Sequence, residues 1–200
     1  VGGVGRLALS ATNPRGIAVA SLKIDREAGG FVDLGMGRIE IAADATEAGL
    51  RADIVAARAA GSWTGGVGIG STAVGITSGA RTIGYSVAAD GSATVAFAAP
   101  GDLDLNGSVN VFDLVAMSTS AAFGKNVAAG WSDGDINYDG VADLFDLVAI
   151  GAGGAFGQGN YLSVSLSGAG ASGAVTAVPE PVTFPALLAA ALAWLVHRGR

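Results

Sequence analysis

The stretch that decides the fold runs from Asp102 to Asp146 and carries one short acidic pattern twice. The first copy is Asp102-Leu103-Asp104-Leu105-Asn106-Gly107-Ser108-Val109-Asn110-Val111-Phe112-Asp113, and the second is Asp135-Ile136-Asn137-Tyr138-Asp139-Gly140-Val141-Ala142-Asp143-Leu144-Phe145-Asp146. Each closes in the same pentapeptide, Phe112-Asp113-Leu114-Val115-Ala116 and Phe145-Asp146-Leu147-Val148-Ala149, and each is followed by Ala-Phe-Gly, at Ala122 to Gly124 and at Ala155 to Gly157. A hard divalent cation such as calcium takes about six to eight oxygens. A loop of about twelve residues supplies them from side chains at positions 1, 3 and 5, a carbonyl at 7, a water held at 9 and a carboxylate at 12. In the first copy these are Asp102, Asp104, Asn106, Ser108 through its carbonyl, Asn110 and Asp113; in the second they are Asp135, Asn137, Asp139, Val141 through its carbonyl, Asp143 and Asp146. Position 6 is glycine in both, Gly107 and Gly140, where a sharp turn asks for a left-handed backbone. Asp, Asn and Gly are also ordinary turn residues, so one such loop alone leaves room for a solvated acidic turn. Two in tandem favour the cation, because without one the clustered carboxylates repel.

The pair resembles a type I dockerin domain over about residues 101 to 157: two calcium loops with Asp at position 12, each running into a helix. The resemblance implies two calcium ions and a domain over 100–160 with helices from near Val111 and near Leu144. It also implies pseudo-twofold packing around Leu114, Val115 and Ala122 with Leu147, Val148 and Phe156. The implied partner is a cohesin-like protein, with the β region of the same chain as the intramolecular alternative. Position 8, usually Ile or Val in that family, is Val109 in the first copy and Ala142 in the second. Positions 10 and 11, often small hydroxyl residues that meet the cohesin, are here Val111-Phe112 and Leu144-Phe145.

Composition narrows the function. Of 17 acidic residues, 8 fall between Asp102 and Asp146 beside a single cation, Lys125, so the net charge of −6 is locally concentrated and points to a cation. No basic stripe is present, which excludes nucleic acid as the expected partner. With no cysteine, disulfides, thiol nucleophiles and thiolate metal sites are ruled out. His197 is the single histidine, which removes Ser-His-Asp catalysis and most zinc sites. The opening Val1-Gly2-Gly3-Val4-Gly5 has no charged n-region or apolar h-region, so either a signal peptide was removed or this is the end of a longer protein, and it reads better as the second.

Residues 1–99 read as a glycine-rich β region, since 33 glycines and few aromatics suit tightly turned strands better than a helical bundle. Alternation predicts strands at Leu7 to Leu9, Ala18 to Asp25, Phe31 to Leu34 and Arg38 to Ile41, divided by Gly29-Gly30 and Gly35-Met36-Gly37. Between 44 and 60 the period changes: Leu50, Ile54 and Ala57 take helical spacing, Asp44 and Glu47 suit the start, and Gly61 follows the end. Gly61 to Gly79 reads as a loop with Trp63 as a packing anchor, and 82–98 as a hairpin across Asp90-Gly91.

Beyond the repeat, Tyr161 to Leu166 reads as a strand and 167–177 as a flexible Gly/Ala/Ser linker. There follow Pro179-Glu180-Pro181, an apolar run of 15 residues over 182–196, and the basic end His197-Arg198-Gly199-Arg200. A full membrane span takes ~20 residues, but the terminal position, the linker before it and the arginines after it favour a membrane helix with its positive end cytoplasmic. This order resembles a PEP-CTERM sorting signal. The resemblance implies a precursor held in the inner membrane of a Gram-negative-type bacterium, an exosortase-type protease acting near Pro179-Glu180-Pro181, and a mature protein at the cell surface or in the extracellular matrix.

The expected fold class is therefore mixed. A glycine-rich β region, the end of a β-helix or a small β-sandwich with one capping helix, precedes an α-helical pair of calcium loop-helix units and a C-terminal hydrophobic helix. The expected function is non-enzymatic: the C-terminal part of an exported surface or matrix protein with a calcium-stabilised module. The alternative is the C-terminal part of a secreted polysaccharide-degrading enzyme with its catalytic region upstream. Glycosidases need two placed carboxylates, and outside the loops the candidates are Asp25, Asp33, Glu40, Asp53 and Asp90, of which Asp33 and Glu40 lie on neighbouring candidate strands.

Overall fold

Short apolar runs broken by glycine leave the chain with brief strands, and these pair into two sheets. The computed structural model describes residues 5–10, 15–58, 61, 63, 65–75 and 80–162. The strands are β1 (Arg6–Ala8), β2 (Gly16–Val19), β3 (Phe31–Asp33), β4 (Arg38–Ile41), β5 (Gly68–Gly70), β6 (Thr82–Val87) and β7 (Ala93–Ala98). The α-helices are α1 (Glu47–Arg58), α2 (Val111–Thr119) and α3 (Leu144–Gly153). One sheet is parallel, in the order β1-β3-β5. The other runs β2-β4-β7-β6, with β2 and β4 parallel and the remaining pairs antiparallel.

Local chemistry sets the joints. The β6–β7 turn is held by Asp90, whose Oδ1 accepts from the Ser92 backbone N–H at 2.9 Å, while Gly91 takes φ 82°. Helix α1 buries Leu50, Ile54 and Ala57. It lies so close to β5 that a Cβ on Gly68 would stand 2.0 Å from the Asp53 carbonyl oxygen, so only glycine fits there.

This is an α/β fold, and it corrects the expectation of a β region followed by a helical pair with a core of its own. The cause lies at positions 2 and 4 of the two acidic loops. Leu103, Leu105, Ile136 and Tyr138 are all buried, and with Trp131 they join Ile39, Ile54, Ile83, Tyr85 and Val95 in one hydrophobic core. Tyr138 is the hub. Its ring lies 5.7 Å from Trp63, 6.0 Å from Trp131 and 6.3 Å from Tyr85, and its hydroxyl donates to the Ile83 carbonyl on β6. Among the residues expected to form a separate core, Val115, Val148 and Phe156 are exposed. Leu114 and Leu147 lie half-buried against the shared core, and Ala122 packs with Ala129 and Ala142.

Other expectations are also corrected. The strand expected over Ala18 to Asp25 stops at Val19, after which Leu22 and Ile24 still pack on the core as irregular chain. The loop expected over Gly61 to Gly79 contains β5 and a 3-10 turn, Thr72–Gly75, because β5 completes the parallel sheet against β3. Tyr161 and Leu162 form a turn, not the start of a strand. Among the described residues no helix is long and apolar enough to cross a membrane. The remainder of that expected strand, the linker, Pro179-Glu180-Pro181 and the apolar run 182–196 lie outside the described residues.

Candidate metal centre

Both acidic loops are built the same way. Position 4 is left-handed in each, Leu105 at φ 58° and Tyr138 at φ 64°, and so is position 6, Gly107 at 91° and Gly140 at 101°. A non-glycine residue in that region carries a steric cost. Burial of the Leu105 and Tyr138 side chains offsets it.

Backbone N–H groups then turn inward onto the carboxylates. In loop one, Asp102 Oδ2 accepts from Gly107 N at 2.9 Å and Asp102 Oδ1 from Asn106 N at 3.1 Å. Asn106 Oδ1 accepts from Ser108 N, and Asn106 Nδ2 donates to Asp104 Oδ2 at 2.8 Å. In loop two, Asp135 Oδ2 accepts from Gly140 N at 3.0 Å, Asp139 Oδ1 from Val141 N, and Asp139 Oδ2 from Asn137 Nδ2.

Positions 9 and 12 join each loop to its helix. Asn110 and Asp143 are the N-caps of α2 and α3, accepting from Phe112 N and Phe145 N, each at 2.8 Å. Asp113 Oδ2 accepts from Asn110 N while its Oδ1 accepts from Leu103 N; Asp146 does the same with Asp143 N and Ile136 N. Each position-12 Asp thus completes a capping box and anchors the start of its own loop.

Asp102, Asp113, Asp135 and Asp146 are buried. Burial pushes the Asp102 carboxyl up to about 6, against the opposing pull of its bonds from Tyr161 and Gly107. It also raises Asp135, where Arg51 pulls the other way, and Asp146, where three backbone N–H groups do. In loop one a carboxylate oxygen from each of Asp102, Asp104 and Asp113 can lie within 4.8 Å of the others. In loop two Asp135 Oδ1 is buried with no hydrogen-bond partner among the described residues. An orphaned buried oxygen is costly, and in a set made only of oxygens it fits a hard cation.

Two residues of the site carried no local signal. Tyr161 Oη donates to Asp102 Oδ2 at 2.5 Å, and Arg51 Nη2, from α1, donates to Asp135 Oδ2 at 3.2 Å and to the Tyr138 carbonyl at 2.9 Å. Their partners lie 59 and 84 residues away along the chain, beyond the reach of any spacing rule.

The carboxylates weighed for sugar hydrolysis are dispersed. Asp33 sits on β3 and accepts from Thr72 and Gly35, while Glu40 sits on β4, in the other sheet, paired with Arg38 and Thr94. Asp25 closes a turn onto Ala28 N, Asp53 pairs with Arg26 at 3.1 Å, and Asp90 holds the hairpin. Comparison with protein-family models, curated proteins and solved structures finds no match to this chain.

Proposed function

We propose that the two loops are calcium sites and that calcium stabilises this α/β module as a non-enzymatic part of an exported surface or matrix protein. The observation that carries the reading is the carboxylate set itself, in which Asp102, Asp113, Asp135 and Asp146 are buried. Asp102, Asp104 and Asp113 converge in one loop, and Asp135 Oδ1 is left unpaired in the other. In loop one Asp102, Asp104, Asn106, the Ser108 carbonyl and Asp113 would hold the ion, with Asn110 at the water-bridged position. Asp135, Asn137, Asp139, the Val141 carbonyl, Asp143 and Asp146 would do so in loop two. Bound calcium would supply the positive charge that burial otherwise denies these carboxylates.

Linkage sets the size of the effect. Calcium at about 100 times its dissociation constant stabilises the folded state by about 2.7 kcal/mol per site. That is a large share of the ~5–15 kcal/mol that holds a typical domain together. The module would then be firm in a calcium-rich exterior and looser in a calcium-poor cytoplasm.

Val111-Phe112 and Leu144-Phe145 are exposed, Phe112 by 76% and Phe145 by 71%, which favours a separate protein partner, cohesin-like in the sense of the resemblance, over packing against the chain's own sheets. The Pro179-Glu180-Pro181 tail fits the same itinerary through an exosortase-type protease, and detection of Arg200 in the exported, mature protein would count against that step. The decisive experiment is a calorimetric titration of the full chain with calcium after chelation, alongside thermal unfolding. Two binding events, one removed by Asp104→Ala, are expected together with a raised Tm. Absence of heat and of any Tm shift at millimolar calcium would refute the reading.

A further inference from the structure

The two loops share one backbone plan and differ in the group that reaches the position-1 Asp from outside the loop. Oδ2 of the position-1 Asp is held from outside its loop by a neutral hydroxyl in loop one, Tyr161, and by a guanidinium in loop two, Arg51. We infer that Arg51 is the resident cation of loop two and makes it the later-filling of the two calcium sites. This inference rests on the calcium reading above and adds an order to it.

Charge supports the assignment. Loop one carries three carboxylates, Asp102, Asp104 and Asp113, and loop two carries four, Asp135, Asp139, Asp143 and Asp146. Arg51 offsets the additional one, and it does so on Asp135, the position-1 ligand itself, whereas Asp102 keeps its full charge beside a neutral hydroxyl. The guanidinium is well placed for this: its side chain is 28% exposed against 1% for Asp135, and its Nη2 bridges Asp135 Oδ2 and the Tyr138 carbonyl, so it is fixed on both sides. It also lies against position 6, with Nη2 standing 3.5 Å from where a Cβ on Gly140 would be.

Two consequences follow from one charge. Without calcium, Arg51 offsets part of the repulsion in loop two, so that loop keeps its shape while loop one has only a neutral donor. With calcium, the guanidinium repels the arriving ion across a short, partly desolvated distance. Asp135 Oδ1 stays available throughout, because Oδ2 takes both the Gly140 N–H and Arg51. Calcium therefore enters loop one first, and loop two answers to higher concentrations.

The test is calcium calorimetry on the full chain, freed of metal, with Arg51→Gln, which keeps a donor but removes the charge, and Arg51→Lys, which keeps the charge. Wild type is expected to show two sites whose dissociation constants differ at least about tenfold, equivalent to about 1.4 kcal/mol. Arg51→Gln is expected to tighten the weaker site to within a few-fold of the stronger while lowering the Tm in chelator. Arg51→Lys should leave the weaker site weak. Arg51→Met carries the same expectation as Arg51→Gln if the latter does not fold without calcium. An unchanged or weakened second site in the uncharged variants overturns the inference and makes Arg51 a mere positioner of Asp135. If loop one still binds and Asp104→Ala abolishes that event, the calcium reading survives alone. Absence of calcium binding in wild type and variants overturns both.

Discussion

Tyr138→Ala tests whether the acidic repeat and the sheets share one core. The side chain removed is buried, faces three aromatic rings at 5.7 to 6.3 Å, and ties loop two to β6 through its hydroxyl. Truncating a core aromatic to alanine costs about 3–5 kcal/mol, since the transfer energy is lost and a cavity remains. At about 2–4 °C per kcal/mol for a unit of this size, the Tm should fall by roughly 6–20 °C. Tyr138→Phe, which removes only the hydroxyl bond, should cost about 1 kcal/mol. The assay is thermal unfolding in chelator, followed in parallel by near-ultraviolet and far-ultraviolet circular dichroism. A single transition that moves in both signals is expected. Two transitions, with the sheet signal melting at its wild-type temperature in Tyr138→Ala, would refute the shared core.

Three further outcomes are expected. Gly84→Ala would place a Cβ 2.6 Å from both Leu105 Cδ2 and Trp131 Cε2. Chemical denaturation should show a loss of about 1–3 kcal/mol from this overpacking, and an unchanged midpoint would mean that the loops can retreat from β6. Because burial raises the folded-state Asp102 carboxyl to about 6 from 3.8, its contribution to calcium-free stability is fully present at acid pH and is lost as pH rises through about 6. The Tm measured from pH 4 to 8 in metal-free buffer should therefore carry a downward component that Asp102→Asn removes. A Phe112→Ser/Phe145→Ser double variant should change stability by no more than about 0.5 kcal/mol per site, because both rings are exposed; a large loss in differential scanning calorimetry would show that they pack after all.

The acidic repeat was legible because its ligand positions and its glycines obey local rules. In the structure Asn110 with Asp113 and Asp143 with Asp146 also form capping boxes. The hairpin over 82–98 was legible for the same reason, with alternation on either side of Asp90-Gly91. What escaped was everything decided at long range. Positions 2 and 4 of the loops look like filler between ligands, yet Leu103, Leu105, Ile136 and Tyr138 merge the repeat with the sheets and produce an α/β fold. Strand β5 is Gly-Ile-Gly, too short and too glycine-rich to signal by pattern, and it exists because α1 and β3 leave room only for bare backbone. Arg51 gives no local signal at all, because its partners Asp135 and Tyr138 lie 84 and 87 residues further along the chain.

The internal repeat has diverged in an unusual way. Between its copies the buried residues at positions 4 and 8 differ, Leu105 against Tyr138 and Val109 against Ala142, while the exposed Phe112 and Val115 match Phe145 and Val148 and the exposed Val111 is replaced by Leu144. A duplicated unit set on an asymmetric support must tailor its inner side to two different neighbours, and that accounts for the first half. Nothing in the interior requires the second. The consequence is a surface that carries one apolar pair twice, Phe112 with Val115 and Phe145 with Val148, over an interior that is not symmetric.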